Sequence, residues 1–344
     1  MKTSLTLLLI SIVLFSSCQK QELDDTLLRF DFDSFEMVDL TNSKFEIISN
    51  GNGMSNPSNI RIVNDSIIVI RDTKSRPNNL WSLNIRTGNI VPFLLYGKST
   101  NEAVGITNIW ADSGSVYCYD TSGKILRTDL NWNDNGFTTE KIAQVSVNAY
   151  RVINIDDNHY MTTSYEGRYK IVDKQDSIIS EFGVFPIENE NANNSVCQID
   201  VETSPDQQLI VCANRQWPQI ELYRRDGSLQ MLLSGPSEIE AEIKRVDFSE
   251  TTYAIVQSPG YSCYHCISSN KNDFFVGYIG KKNKENPDFN KGVNTILSFA
   301  WDGQPKCLYK FGHYIKHFDY DDSNGVLYCL IECDDRYQVA KYKL

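Results

Sequence analysis

The sequence predicts an all-β fold, a six-bladed β-propeller, and three observations carry that prediction. Short apolar strands alternate with tight turns along the chain beyond residue 40. No run of helical apolar periodicity interrupts them. The strand groups recur at a spacing of about 40 residues, the length of one propeller blade.

The groups follow in order. Ile60-Arg61-Ile62-Val63 passes through Asn64-Asp65-Ser66 into Ile67-Ile68-Val69-Ile70, a hairpin pattern with turn-forming residues at its corner. Leu80-Trp81-Ser82-Leu83-Asn84 then turns at Arg86-Thr87-Gly88 into Asn89-Ile90-Val91. Four further turns of that kind, within residues 120–126, 173–179, 225–230 and 301–306, mark outer hairpins of later units. The units so defined are 56–96, 107–145, 149–185, 196–233 and a longer fifth, 246–311. A last unit shows three strands, at 314–318, 326–331 and 338–342. Its fourth is supplied by Lys44-Phe45-Glu46-Ile47-Ile48 near the start of the chain, closing the ring and hiding the edges that an open sheet exposes. Seven blades result if residues 257–297 hold another.

The N-terminus reads as an export signal. Lys2 supplies a positive start, and Leu5 to Phe15 is apolar apart from Thr6 and Ser11. A helix of that length is too short for a hydrocarbon core of about 30 Å, but it suits a signal peptide. Phe15-Ser16-Ser17-Cys18 resembles a bacterial lipobox, with Cys18 the acylated residue. The expected organisation is therefore a signal peptide over 1–17, a lipidated Cys18 and tether over 18–40, and one propeller domain over 41–344. The expected address is the outer membrane, facing the periplasm or the cell surface, with the lipid on Cys18 as the membrane contact.

Composition limits the partners. A net charge of −11 offers no basic surface for nucleic acid or anionic lipid. Eight cysteines remain after Cys18. Several lie within apolar strands, as in Val116-Tyr117-Cys118-Tyr119, and are expected as unpaired core residues; Cys263 and Cys266 are the first candidates for an exception, expected as a disulfide or as plain packing in a loop.

The pattern resembles the TolB-like six-bladed propeller lipoproteins. The resemblance rests on Phe299-Ala300-Trp301-Asp302-Gly303-Gln304-Pro305, residues 315–319, Gly325-Val326-Leu327-Tyr328 and Lys341-Tyr342-Lys343-Leu344, together with the first unit's Leu80-Trp81-Ser82-Leu83-Asn84 and the lipobox. It implies architecture and carries over no catalytic residues.

Candidate chemistry is sparse. Cys263-Tyr264-His265-Cys266 could hold zinc only with a second pair such as Cys329 and Cys333. His313 and His317 fall four apart on one strand, about 13 Å along it, too far to share a metal. The run from Asp319 to Gly325 lacks the glycine and glutamate positions of a calcium loop, and Asn324-Gly325 makes a hairpin turn there instead. Glu188 to Asn194 is a polar acidic loop. No Gly-x-Ser-x-Gly elbow, phosphate loop or dinucleotide pattern is present. No catalytic residue, metal site or cofactor is assigned. Trp81, Trp110, Trp132, Trp217 and Trp301 fall in separate units and are read mostly as blade packing. Tyr150, Arg151, Arg215, Trp217 and Tyr261 are the residues expected to face a ligand from the loops of one ring face. The function expected is a non-catalytic binding or scaffold module for a protein or a glycan, with a metal-dependent hydrolase or lactonase at the central channel as the alternative.

Overall fold

A computed structural model of the chain describes residues 26–51, 53–74, 76–112, 114–131, 136–146, 149, 151–163, 169–183, 198–237, 242–247, 253–258, 260–282, 291–333 and 336–344. The signal peptide and lipobox with Cys18 lie outside these residues, as do Tyr150, Trp132, Cys197 and the run 188–194.

Three short strands come first: β1 (Leu27–Arg29), β2 (Glu36–Leu40) and β3 (Glu46–Ser49). Four antiparallel blades follow. Blade 1 is β4–β7 (Pro57–Asn64, Ile67–Asp72, Asn78–Asn84, Ile90–Leu95) and blade 2 is β8–β11 (Ile106–Asp112, Ser115–Asp120, Lys124–Asn131, Gly136–Gln144). Blade 3 is β12–β15 (Val152–Asn154, His159–Thr162, Tyr169–Asp173, Ile178–Phe182) and blade 4 is β16–β19 (Ile199–Thr203, Leu209–Asn214, Gln219–Arg224, Leu229–Ser234). A separate hairpin, β20–β21 (Glu242–Asp247, Tyr253–Ser258), comes next.

Blades 5 and 6 share a strand. β22 (Tyr261–Ser269), β23 (Asp273–Lys282), β24 (Val293–Ala300) and the first part of β25 (Pro305–Asp321) form blade 5. The remainder of β25 with β26 (Val326–Cys333), β27 (Arg336–Lys343) and β3 forms blade 6. The chain changes blade near Gly312, where a Cβ would run into the carbonyl oxygen of Thr41. Glycine admits that close approach of two backbones.

Apolar side chains of each blade meet those of the next, and the described residues form six such clusters, one for each neighbouring pair of blades. The deciding cluster joins the ends of the ring. Ile60, Ile68, Ile70 and Leu83 of blade 1 pack on Val326, Tyr328, Leu330 and Val339 of blade 6. Each such aliphatic side chain contributes about 1.5–3 kcal/mol on burial, so the closure is held by packing as well as by the β3–β27 pairing. Six clusters between six blades make a closed six-bladed propeller.

Several expectations need correction. The described residues of 257–297 belong to the end of the separate hairpin and to the first three strands of blade 5, and among them there is no seventh blade. The long fifth unit is a hairpin followed by a blade, and that blade begins at Tyr261. The tether expected up to residue 40 is already paired from Leu27: β1 runs parallel to β19 on the outer edge of blade 4, and β2 runs parallel to β25 on blade 5. Phe30 and Phe35 between them are buried edge-on against Phe299. Cys263 and Cys266 form no disulfide; both are free and buried within β22.

Candidate functional site

The six inner strands are β4, β8, β12, β16, β22 and the second part of β25. Their starts gather at one mouth of the central channel and their ends at the other. Around the first, the entry mouth, lies a cavity of about 480 Å³ lined by residues that include Asn56, Ser58, Gln198, Arg215, Gln216, Ser262, Tyr264, His265 and Lys316. Around the second lies one of about 440 Å³, lined among others by Arg61, Asp112, Glu202, Asp319, Asp321 and Asp322. The channel thus has a basic, amide-rich end and an acidic end. A third concavity, about 650 Å³, opens between blades 3 and 4 and is lined by Ile155, Ile171, Ile179 and Leu209 beside Asp156, His159 and Arg225.

Alternation within the inner strands explains the charges. One face of each strand packs on neighbouring blades, so the other faces the channel. Asp200 and Glu202 are two apart in β16 and share the channel face. Arg61 reaches Glu202 at 2.7 Å and Asp319 at 3.2 Å. Asp319 also accepts from the Ser268 hydroxyl at 2.6 Å and from the Ile62 amide at 2.7 Å. Burial works against the charge of Arg61, and Glu202 and Asp319 more than offset it, raising its pKa further. Burial pushes the Glu202 carboxyl upward, and Arg61 pulls against that push.

Nearer the entry mouth, Asp200 is the hub. Arg215 grips it with Nε at 3.0 Å and Nη2 at 2.8 Å, and Arg151 Nη2 joins at 3.3 Å. The Cys266 amide donates to it at 3.1 Å, and His265 Nδ1 lies 3.5 Å away. Burial alone would raise the Asp200 carboxyl; Arg215, His265 and Arg151 hold it well below the usual carboxylate range. The same burial, with Arg215 alongside, lowers the His265 imidazole.

A bulge in β22 builds half of this hub. The ladder with β23 slips between His265 and Ile267, and Cys266 takes φ = 65°, a left-handed conformation unusual for a side-chain-bearing residue. Released from the ladder, the Cys266 amide turns to Asp200. Its thiol donates to the Lys316 carbonyl at 3.1 Å. Burial raises the thiols of Cys263 and Cys266, which makes them poor nucleophiles.

The residues expected to face a ligand divide. Arg151 and Arg215, from different blades, meet on Asp200 at the entry mouth. Trp217 sits half-buried in the β17–β18 loop, beside Gln216 of the cavity wall. Tyr261 is a correction: it opens β22 and is buried in the core between blades 4 and 5. Tyr150 lies outside the described residues. Of the other tryptophans, Trp81, Trp110 and Trp301 pack within blade clusters. His313 and His317 both fall on β25; His313 rests against Phe45, and His317 is buried with its pKa lowered by burial and by Arg61. Asp321 accepts from Ser323 and Asn324, which closes a hairpin turn. Among the described residues no group of three His, Cys, Asp or Glu side chains is placed to hold a metal ion.

Sequence reasoning missed Arg61, Asp200, Glu202, Gln198 and Lys316, and weighed His265 and Asp319 only as possible metal ligands. A signal did exist for some of them. A lone charge inside an apolar inner strand, as in Ile60-Arg61-Ile62 or Ile199-Asp200-Val201-Glu202, marks a position that faces the channel.

Comparison with known proteins fits this geometry. The TolB-like 6-blade propeller-like family matches residues 31–323. The chain belongs to that family. The TolB-like architecture is also seen in a Bacteroides fragilis NCTC 9343 protein thought to be exported, with a TM-score of 0.56 at 11% identity over 92% of this chain and 98% of that one. A streptogramin B lyase aligns at TM-score 0.48 and 15% identity, over 87% of this chain and 96% of that one. The Cps50 (Swd1) propeller domain of Myceliophteria thermophila aligns at 0.45 and 8%, over 84% of each chain. Among curated proteins, none matches. Solved chains that match number 1246.

Proposed function

We propose that this propeller is a non-catalytic binding module, held at the outer membrane by a lipid on Cys18, which takes a protein or glycan ligand at the entry mouth of its channel. One observation carries the reading. Asp200, the channel carboxylate at the entry mouth, is gripped by Arg215 and Arg151, which hold it well below the usual carboxylate range. A carboxylate held in this way is a weak general base and a poor partner for a proton in flight. What the entry mouth does offer is a concave, small-molecule-sized wall of amides, hydroxyls and cations on rigid strands and short loops. That is the equipment of recognition.

The test uses the purified full-length chain in detergent. Saturable binding to members of a glycan panel, weakened about tenfold or more by Gln198→Ala or Gln216→Ala, is the expected result. Chelator-sensitive turnover of ester or lactone substrates would overturn the reading in favour of the hydrolase alternative.

A further inference from the structure

The two mouths differ in sign. At the entry mouth Arg215 and Arg151 share a single carboxylate, Asp200, and Lys316 is paired with Glu332 at 3.1 Å, three cations to two acids, whereas the other mouth carries five acids with Arg61. This local excess of cations stands in a chain of net charge −11. A random draw from so acidic a composition does not favour it, and its field attracts anions to one end of the ring only. Between the cations stand three side-chain amides, Asn56, Gln198 and Gln216. Each amide offers a donor and an acceptor side by side, which suits the paired hydroxyls of a sugar ring. The cavity of about 480 Å³ has room for one or two such rings. An acidic peptide fits less well, since peptide anchors need apolar pockets and this wall is mostly polar.

Resting on the binding reading above, we propose that the entry mouth selects an anionic sugar, whose carboxylate is drawn to the surplus charge of Arg215 and Arg151 around Asp200 while its hydroxyls pair with Asn56, Gln198 and Gln216.

The experiment is calorimetric titration of the full-length chain in detergent with three probes: an oligogalacturonate, its fully methyl-esterified form, and an oligoglutamate of equal charge. The inference expects the acid to bind about tenfold or more tightly than the ester, with an affinity that falls as salt is added. Arg215→Gln removes a cation, and Gln216→Glu adds an acid to the wall without touching the Asp200 hub. Both variants should abolish the preference for acid over ester, the ratio of the two affinities being the readout whatever happens to the ester's own affinity. Melting curves identify a variant that has simply unfolded, and the Gln216→Glu result then decides alone. Equal affinity for acid and ester overturns the inference and leaves the binding reading in place. So does binding of oligoglutamate in preference to the sugar acid. Hydrolysis of the methyl ester in the calorimeter cell overturns both.

Discussion

At the scale of the residue, the channel shows how an apolar ring accommodates charge. Asp200, Arg215, Arg151, Arg61, Glu202 and Asp319 are tolerated because each is answered by an opposite charge or a hydrogen bond. Removing one partner of such a buried set costs more than the pair contributes. His317 is the contrasting case, a buried imidazole kept neutral by its surroundings and by Arg61. Its folded pKa lies below the unfolded value, so once the pH falls below about 6.5 the unfolded chain takes up a proton that the folded chain refuses. Stability therefore decreases with acid, by up to about 1.4 kcal/mol per pH unit for such a group. The Asp200 carboxyl does not contribute in that window, because its own titration is shifted well below the usual range. Melting temperatures between pH 7 and 5.5 should fall for the native chain and fall less for His317→Gln. An identical slope in both would assign the acid sensitivity elsewhere.

At the scale of the element, what could be read from the sequence depended on whether side-chain period survives in the strand. Blades 1 to 4 keep a period of two between clear turns, and their limits fall within a few residues of those expected. The closing strand was legible for the same reason, since Lys44-Phe45-Glu46-Ile47-Ile48 alternates and the last unit lacked a partner. β22 was not legible as a strand, because the extra residue at Cys266 breaks the alternation and Cys-x-x-Cys draws attention to its sulfur chemistry. Nor were β1 and β2, whose few residues pair through the backbone with strands far away in sequence. For the site, arginines in loops could be named, whereas an aspartate inside an apolar strand was passed over; the fold brings Arg151 and Arg215 together on it. The added strands make their own prediction. Phe30 is 3% exposed and lies in the core with Phe35 and Phe299. Phe30→Ala should destabilise by about 3–5 kcal/mol, measured by urea unfolding. A loss below about 1 kcal/mol would mean that the N-terminal strands lie on the ring without supporting it.

At the scale of the whole molecule, closure and attachment are one problem. The last blade is completed by β3, and the two strands before it cover the edges of blades 4 and 5. Covered edges cannot recruit another chain. For the attachment, Cys18→Ser in the producing bacterium should move the protein from the membrane fraction to the soluble envelope fraction without altering its melting temperature. Continued sedimentation with the membrane would show that the anchor is not that cysteine.

The N-terminal strands also fix the point at which a tether on Cys18 would reach the ring. Leu27, the first residue of β1, is nine residues beyond Cys18, and an extended chain spans at most about 3.6 Å per residue. With Cys18 acylated, the leash to the first paired residue is at most about 30 Å, comparable to the ring itself. It attaches at the circumference, on blade 4, and not at either mouth. A ring anchored in that way would be suspended by its rim like a wheel on a short cord, and by neither opening. A pull on the cord loads β1 and β2 in shear along their whole length instead of peeling them off one bond at a time.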